Sequence, residues 1–115
     1  MSMRIDESAK AGRHVLALSG EMTVDTAQRL DSLLARLCVD GASEIELDLR
    51  GLRFIDSTGL ESILAGRETC TRNGTAFHLV AGRGAAYQLF AVTGLLEILP
   101  LRDPPRQVPP PGSEP

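Results

Sequence analysis

Short apolar runs alternate with longer amphipathic stretches along most of this chain, and this alternation constrains the fold more than any other feature. Runs typical of strands at His14–Ser19, Glu44–Arg50 and Thr75–Val80 are each followed by a segment with helical periodicity. Strands that alternate with helices predict βα units and a largely parallel sheet. We therefore expect an α/β fold, with a mixed, mostly parallel sheet of four to five strands and helices packed on it.

Three helices are predicted, over about Asp25–Cys38, Ser57–Arg72 and Gly84–Thr93. In the first, Asp25 and Gln28 have the spacing of a capping box. Its apolar residues recur at helical spacing; they are Ala27, Leu30, Leu33, Leu34 and Leu37. The second helix is expected to point Leu60, Ile63 and Leu64 inward.

The remaining segments of the folded part are assigned to strands and a loop. Met3–Lys10 is expected to pair with His14–Ser19 as an antiparallel edge strand, and Ile98–Leu101 is expected to form a last short strand. Gly51–Asp56 is predicted to be a loop that returns apolar side chains, Phe54 among them, to the core.

The C-terminus has a different composition from the rest of the chain. All 7 prolines lie at or beyond Pro100, and the stretch RDPPRQVPPPGSEP has one aliphatic residue, Val108. Proline fixes φ and has no backbone donor, so such a segment favours extended, mobile chain. We expect one folded domain over residues 1–101 and a proline-rich disordered tail over residues 102–115.

Charge and composition exclude several classes of protein. The net charge of −3 comes with no basic stripe, which argues against nucleic-acid binding. No apolar run approaches the roughly 20 residues that span a membrane, and no apolar leader opens the chain, so a cytoplasmic protein is expected. Cys38 and Cys70 lie far apart with no ligand-like histidine spacing, which predicts reduced thiols, no structural zinc and no cofactor.

Known catalytic motifs are missing from the predicted loops. The window IDSTG at Ile55–Gly59 lacks the first glycine of a nucleophile elbow. Neither a phosphate-binding GxxxxGK[ST] loop nor a complete GxGxxG fingerprint occurs. His14 and His78 fall within predicted strands, where a histidine is usually a packed or surface residue. We therefore expect a protein that is not an enzyme.

The segment Asp56-Ser57-Thr58-Gly59 opens the second predicted helix and has two interpretations. Asp, Ser and Thr are preferred helix N-caps, and Thr58 with Glu61 has capping-box spacing, so the segment can be purely structural. Capping needs only one of the three side chains, however. A serine at a helix N-terminus is also a favourable place for a phosphate, because free N–H groups and the helix dipole attract anions.

The sequence resembles the STAS-domain anti-sigma factor antagonists of bacteria over about Gly12–Leu101. The central match is LDLRGLRFIDSTGL at Leu47–Leu60, in which an aromatic residue, isoleucine and DSTG follow an apolar strand. Supporting matches are LALSGEM at Leu16–Met22 and LFAVTGLLEIL at Leu89–Leu99. The resemblance implies a domain that binds an anti-sigma factor, itself a serine kinase, and so releases a sigma factor.

By the same resemblance, the kinase phosphorylates Ser57 and a serine phosphatase resets it. Residues implied to contact the partner are Asp56, Thr58, Gly59 and Leu60 around the serine, with Glu21, Thr23 and Asp25 on the preceding loop. Many family members carry aspartate where this chain has Thr23, and Asp25 is a candidate substitute.

Two other functions remain open. One is a STAS scaffold without a switch, as a subunit of a stress-signalling or lipid-transport complex. The other is a small enzyme or nucleotide-binding domain, which the missing phosphate loop disfavours.

Overall fold

A computed structural model describes residues 2–102. It contains a four-stranded sheet in the order β1-β2-β3-β4 and three helices. In chain order the elements are β1 (Met3–Lys10), β2 (Arg13–Met22), α1 (Val24–Val39), β3 (Glu44–Ile55), α2 (Ser57–Arg72), β4 (Ala76–Val80) and α3 (Ala85–Val92). β1 pairs with β2 antiparallel, whereas β2–β3 and β3–β4 are parallel. The predicted mixed α/β fold is confirmed.

The core lies between one face of the sheet and the helices. Ile45, Leu47 and Leu49 alternate along β3 and are all at most 1% exposed. The predicted apolar face of α1 is buried apart from Leu33, which is partly exposed. On α2, Ile63 is fully buried but Leu60 and Leu64 lie at the margin of the core.

The prediction of a loop at Gly51–Asp56 is wrong, because β3 continues to Ile55. The prediction ended β2 too early as well, since that strand runs to Met22 and supplies hydrogen-bond partners for the extension. Gly20 pairs with Leu52 and Glu21 pairs with Phe54, which leaves Arg53 as an extra residue on β3. Such a bulge interrupts the alternation of side chains that identifies a strand in a sequence.

The predicted capping box of α1 is also wrong. The helix begins one residue earlier than expected, with Thr23 as its N-cap. The Thr23 backbone N–H donates to Thr26 Oγ1 at 2.9 Å, so Thr26 occupies the position assigned to Gln28. Thr26 is only 5% exposed, and it can occupy this capping position because its Oγ1 also donates to the Glu21 carbonyl at 2.8 Å.

The last predicted strand is reduced to one bridge, in which Leu101 pairs in parallel with Leu79. The segment before it instead forms turns after α3, with the Leu99 N–H bonded to the Leu95 carbonyl at 3.0 Å. Apart from Arg102, the tail predicted over residues 102–115 lies outside the described residues. In the part of the chain that the structure describes, no helix has the length and apolarity needed to cross a membrane.

The opposite face of the sheet is polar. Glu44, Glu46 and Asp48 alternate with the core residues of β3 and therefore lie on this polar face. The Arg102 guanidinium donates to Glu44 Oε2 at 2.9 Å and to Glu46 Oε1 at 2.7 Å, and its other terminal nitrogen lies 3.0 Å from His78 Nδ1. This network offsets part of the cost of burying Glu46, which is 2% exposed and whose second oxygen, Oε2, has no hydrogen-bond partner among residues 2–102.

Candidate functional site

Two strand-to-helix junctions meet at one edge of the sheet. Met22 at the end of β2 pairs with Ile55 at the end of β3, and the Asp56 N–H donates to the Met22 carbonyl at 3.3 Å. The starts of α1 and α2 are therefore side by side. Val80, the last residue of β4, pairs with Asp48 and so lies well short of this edge. The segment Ala81–Gly84, which follows β4, therefore leaves the sheet beside the middle of β3.

Asp56 determines how α2 begins. It is the N-cap residue, and its Oδ1 accepts the backbone N–H of Gly59 at 3.0 Å. The expected capping box of Thr58 with Glu61 is wrong, because the helix already begins at Ser57 and both residues belong to it. The structural role proposed for the DSTG segment is real, but Asp56 alone fulfils it.

Gly59 permits the close approach of α2 to the end of β2. A Cβ at this position would lie 2.9 Å from the Met22 carbonyl oxygen and 3.0 Å from Ile55 Cγ1. These distances are shorter than side-chain contacts allow, so any larger residue would push the helix away from the sheet. Gly59 is buried, and its lack of a side chain sets the position of the helix start that carries Ser57.

Ser57 is the exposed hydroxyl of this junction. Ser57 is exposed, whereas Thr58 and Leu60 are half-buried. Across residues 2–102, the Ser57 hydroxyl takes part in no hydrogen bond. The first turn of α2 also contains no acidic side chain. An added anion would therefore meet free N–H groups at the helix start, with the Asp56 carboxylate on the preceding residue.

The junction between β2 and α1 contributes polar and charged groups beside Ser57. Glu21 accepts a hydrogen bond from Arg53 at 2.9 Å and from the Ser2 backbone N–H at 3.1 Å, which fixes its carboxylate. Asp25 is exposed in the first turn of α1. Thr23 is the N-cap residue of that helix and is half-buried.

Sequence reasoning missed the apolar part of this surface. Phe54 is 47% exposed and Val24 is 66% exposed, although Phe54 was expected in the core. The bulge at Arg53 explains the error, since it turns Phe54 outward while Leu52 and Ile55 stay buried. The only signal in the sequence was the adjacent apolar pair Phe54-Ile55, which a regular strand must point to opposite faces.

The site presents the exposed hydroxyl of Ser57 at the protein surface. Two surface cavities, of about 260 and 190 Å³, are lined by residues of β1, β2 and β3 and by none of the predicted site residues. His14 lies against Glu7 and His78 lies on the polar face beside Arg102. Within residues 2–102, no three His, Cys, Asp or Glu side chains are grouped to hold a metal ion. The geometry suits recognition by another protein.

Comparison with known proteins identifies one family. The sequence model of the STAS domain family matches residues 3–107 of this chain. Among curated relatives, the anti-sigma-B factor antagonist of Staphylococcus aureus (strain NCTC 8325 / PS 47) is 23% identical over 99 residues, which cover 86% of this chain and 92% of the relative.

Solved structures agree in fold. An anti-sigma factor antagonist from Mycobacterium paratuberculosis superposes with a TM-score of 0.78 at 27% identity, covering 89% of this chain and 86% of that chain. The anti-sigma factor antagonist SpoIIAA in its unphosphorylated form gives a TM-score of 0.74 at 17% identity, covering 91% of this chain and 90% of that chain. SpoIIAA of Bacillus has also been solved in its phosphorylated form, with a TM-score of 0.70 to this chain.

Proposed function

This chain belongs to the STAS domain family, and from that premise we propose that it is an anti-sigma factor antagonist that phosphorylation of Ser57 switches off. Its partner is an anti-sigma factor with serine kinase activity. Binding of the unphosphorylated chain releases a sigma factor from that partner. The similarity to proteins named as anti-sigma factor antagonists supports the general role.

The position of Ser57 carries the proposal. Its hydroxyl is exposed at the first residue of α2 and is free of hydrogen bonds among the described residues. Because Asp56 caps the helix through Gly59, esterifying Ser57 removes no structural contact. A kinase can therefore reach the oxygen without unfolding the domain.

The expected effect of phosphorylation is electrostatic. A phosphate adds about −1.5 to −2 charges at neutral pH, and a helix N-terminus tolerates such an anion. Asp25 and Asp56 add negative charge at this edge of the sheet, whereas Glu21 is paired with Arg53. A partner surface that accommodates a neutral hydroxyl would meet repulsion and a desolvation cost, so binding is lost while the fold persists.

The proposed contact surface surrounds Ser57 on both junctions. Its polar members are Glu21, Thr23, Asp25, Asp56 and Thr58, with Leu60 at the half-buried start of α2. Phe54 and Val24 add exposed apolar area beside them. Large exposed apolar side chains next to charged groups are typical of protein interaction sites. Gly59 contributes by holding the helix start in place.

In this scheme the chain is a ligand and a substrate, and the kinase supplies the catalysis. A serine phosphatase hydrolyses the phosphoserine and restores binding. Since sigma factors act on transcription, we place the chain in the bacterial cytoplasm.

The test is to mix the purified chain with a candidate kinase-type anti-sigma factor, magnesium and ATP, and to map the product by peptide mass spectrometry. We expect a single phosphoryl group on Ser57, none on Ser57→Ala, and normal incorporation into Thr58→Ala. Phosphorylated chain should no longer co-elute with the anti-sigma factor in the presence of ADP, whereas Ser57→Ala should still do so.

Two results would contradict the proposal. Phosphate on Thr58 alone would move the switch to a different hydroxyl. Binding to the anti-sigma factor that persists in Ser57→Glu, with no phosphate incorporated into the native chain, would favour the scaffold function instead.

A further inference from the structure

Cys38 and Cys70 are brought together by the packing of α1 against α2. Their sulfur atoms lie 3.6 Å apart, although 32 positions separate the residues in the chain. Both thiols are free, and the residues are 4% and 0% exposed respectively. Each residue belongs to the last turn of its helix. Two unrelated positions in the sequence therefore form one buried dithiol.

We propose that this pair is an oxidative modification site, at which an intramolecular disulfide joins α1 to α2. A disulfide has a sulfur–sulfur bond of about 2.05 Å, so the two sulfurs must approach by roughly 1.5 Å. The helices already pack closely beside the pair, because a Cβ on Gly66 of α2 would lie 2.5 Å from Leu34 Cδ1 of α1. Side-chain rotation with a small shift of the last helical turns would supply the remaining movement.

The chemistry needs an external oxidant of the peroxide class. One thiolate attacks the peroxide oxygen and breaks the O–O bond, which yields a sulfenic acid and one water. The second sulfur then attacks the sulfenic sulfur, forms the S–S bond and displaces a second water. In sum, two thiols and one hydrogen peroxide give one disulfide and two waters, with the sulfurs oxidised and the peroxide oxygens reduced.

Burial makes this reaction slow at neutral pH. Burial first, and then the contact with Cys38, raises the pKa of the Cys70 thiol to about 12. Only the thiolate reacts, so the rate should increase as the pH rises. The thiols also need partial opening of the helix ends to meet an oxidant, so they should react more slowly than exposed thiols.

The position of the pair defines the consequence. Cys38 and Cys70 lie at the ends of α1 and α2 that are distant from Thr23 and Ser57, which begin those helices. A bond there closes a long loop of chain without covering the exposed serine. The oxidised domain should therefore be more resistant to unfolding, because the unfolded chain loses conformational freedom.

The experiment treats the full native chain with hydrogen peroxide, and separately with diamide, at pH 7 and pH 9. We expect titratable thiols to fall from two to none, the monomer to lose two hydrogen atoms by intact mass, and the thermal midpoint to rise above that of the reduced chain. Dithiothreitol should reverse all three changes. Oxidation should be faster at pH 9, and Cys38→Ala and Cys70→Ala should each form no intramolecular disulfide and show no rise in midpoint.

Unfolding the chain in urea before oxidation provides the control for thiol reactivity. The proposal is wrong if the oxidants convert both thiols in urea but leave both thiols of the native chain reduced at pH 7 and at pH 9. Disulfide-linked dimers in place of the modified monomer, or a modified monomer with a lowered thermal midpoint, would also overturn it.

Discussion

Asp56 Oδ1 accepts the backbone N–H of Gly59 at 3.0 Å, so the residue before Ser57 caps α2 and leaves the serine hydroxyl unoccupied. This relationship separates two roles that the sequence places in adjacent residues. Asp56 holds the helix start together, whereas Ser57 is available for modification. Three predictions test this division and the packing around it, and a fourth tests the ion pairs on the polar face of the sheet.

Ser57→Glu should fold normally and lose binding to the anti-sigma factor. A carboxylate at a helix N-terminus is favoured by the dipole, so the free energy of unfolding should stay within about 1 kcal/mol of the parent value. Urea denaturation measures the stability, and isothermal titration calorimetry measures the binding.

The matched control for that variant is Thr71→Glu, which places the same charge in the last turn of the same helix. It should keep partner binding but lose about 0.3–1 kcal/mol of stability, because the dipole disfavours an anion there. Unfolding of Ser57→Glu, or equal loss of binding in both variants, would contradict the assignment of Ser57.

Asp56→Ala should destabilise the domain by about 0.5–2 kcal/mol, since the Gly59 N–H loses its acceptor. Chemical denaturation followed by circular dichroism measures the change. Asp25→Ala is the comparison, because Asp25 lies in the first turn of α1 but caps nothing, and it should cost only a few tenths of a kcal/mol. Equal costs for the two variants would show that the cap contributes little.

Gly59→Ala should cost about 1–3 kcal/mol, because its Cβ would be forced against Met22 and Ile55. Gly84→Ala serves as the control, since the nearest atom to a Cβ there is the Leu52 carbonyl oxygen at 4.0 Å. That variant should lose less than about 1 kcal/mol. A thermal midpoint that falls equally in both variants would be inconsistent with close packing at Gly59.

The polar face should make stability fall in acid. Burial acts to raise the pKa of Glu44, but the hydrogen bond from Arg102 and the charges of Arg102, His78 and Arg13 outweigh it, so the net pKa is lowered from 4.5. A carboxyl whose pKa is lowered on folding stabilises the native state above its unfolded pKa. This stabilisation of the native state is lost as the pH falls through the lowered pKa that Glu44 has in the folded chain.

Glu44→Gln should therefore be less stable than the parent at pH 7, and the difference should shrink below pH 4.5. Urea midpoints measured from pH 7 down to pH 3 check this. Glu68→Gln, at an exposed position of α2 with no ion pair among residues 2–102, should show no such convergence. A difference between Glu44→Gln and the parent that stays constant with pH would contradict the prediction.

The fold class could be predicted because its signals are local. Alternating Ile45, Leu47 and Leu49 identify a strand, and the 3.6-residue recurrence on α1 identifies a helix, without knowledge of any distant contact. The DSTG segment was also identifiable as a helix start. Errors occurred where a local pattern had two solutions, as at the start of α1, where Thr26 took the place of Gln28.

Strand length and side-chain direction depended on partners far along the chain. β3 extends to Ile55 because β2 continues beside it, and the bulge at Arg53 arises from the register between those two strands. No sequence window contains that register, so the exposure of Phe54 could not be read from its neighbours. The contact between Cys38 and Cys70 has the same origin, since it follows from how two helices cross.

The sequence by itself determined the three helices, the central parts of the four strands and the hydroxyl at the start of α2, because hydrophobic period and capping preference act over a few residues. The tertiary structure alone decided that Asp56 rather than Thr58 caps that helix, that Phe54 faces outward and that two distant thiols touch. Those outcomes depend on register and packing between segments, whose free energies appear only when the whole chain is assembled.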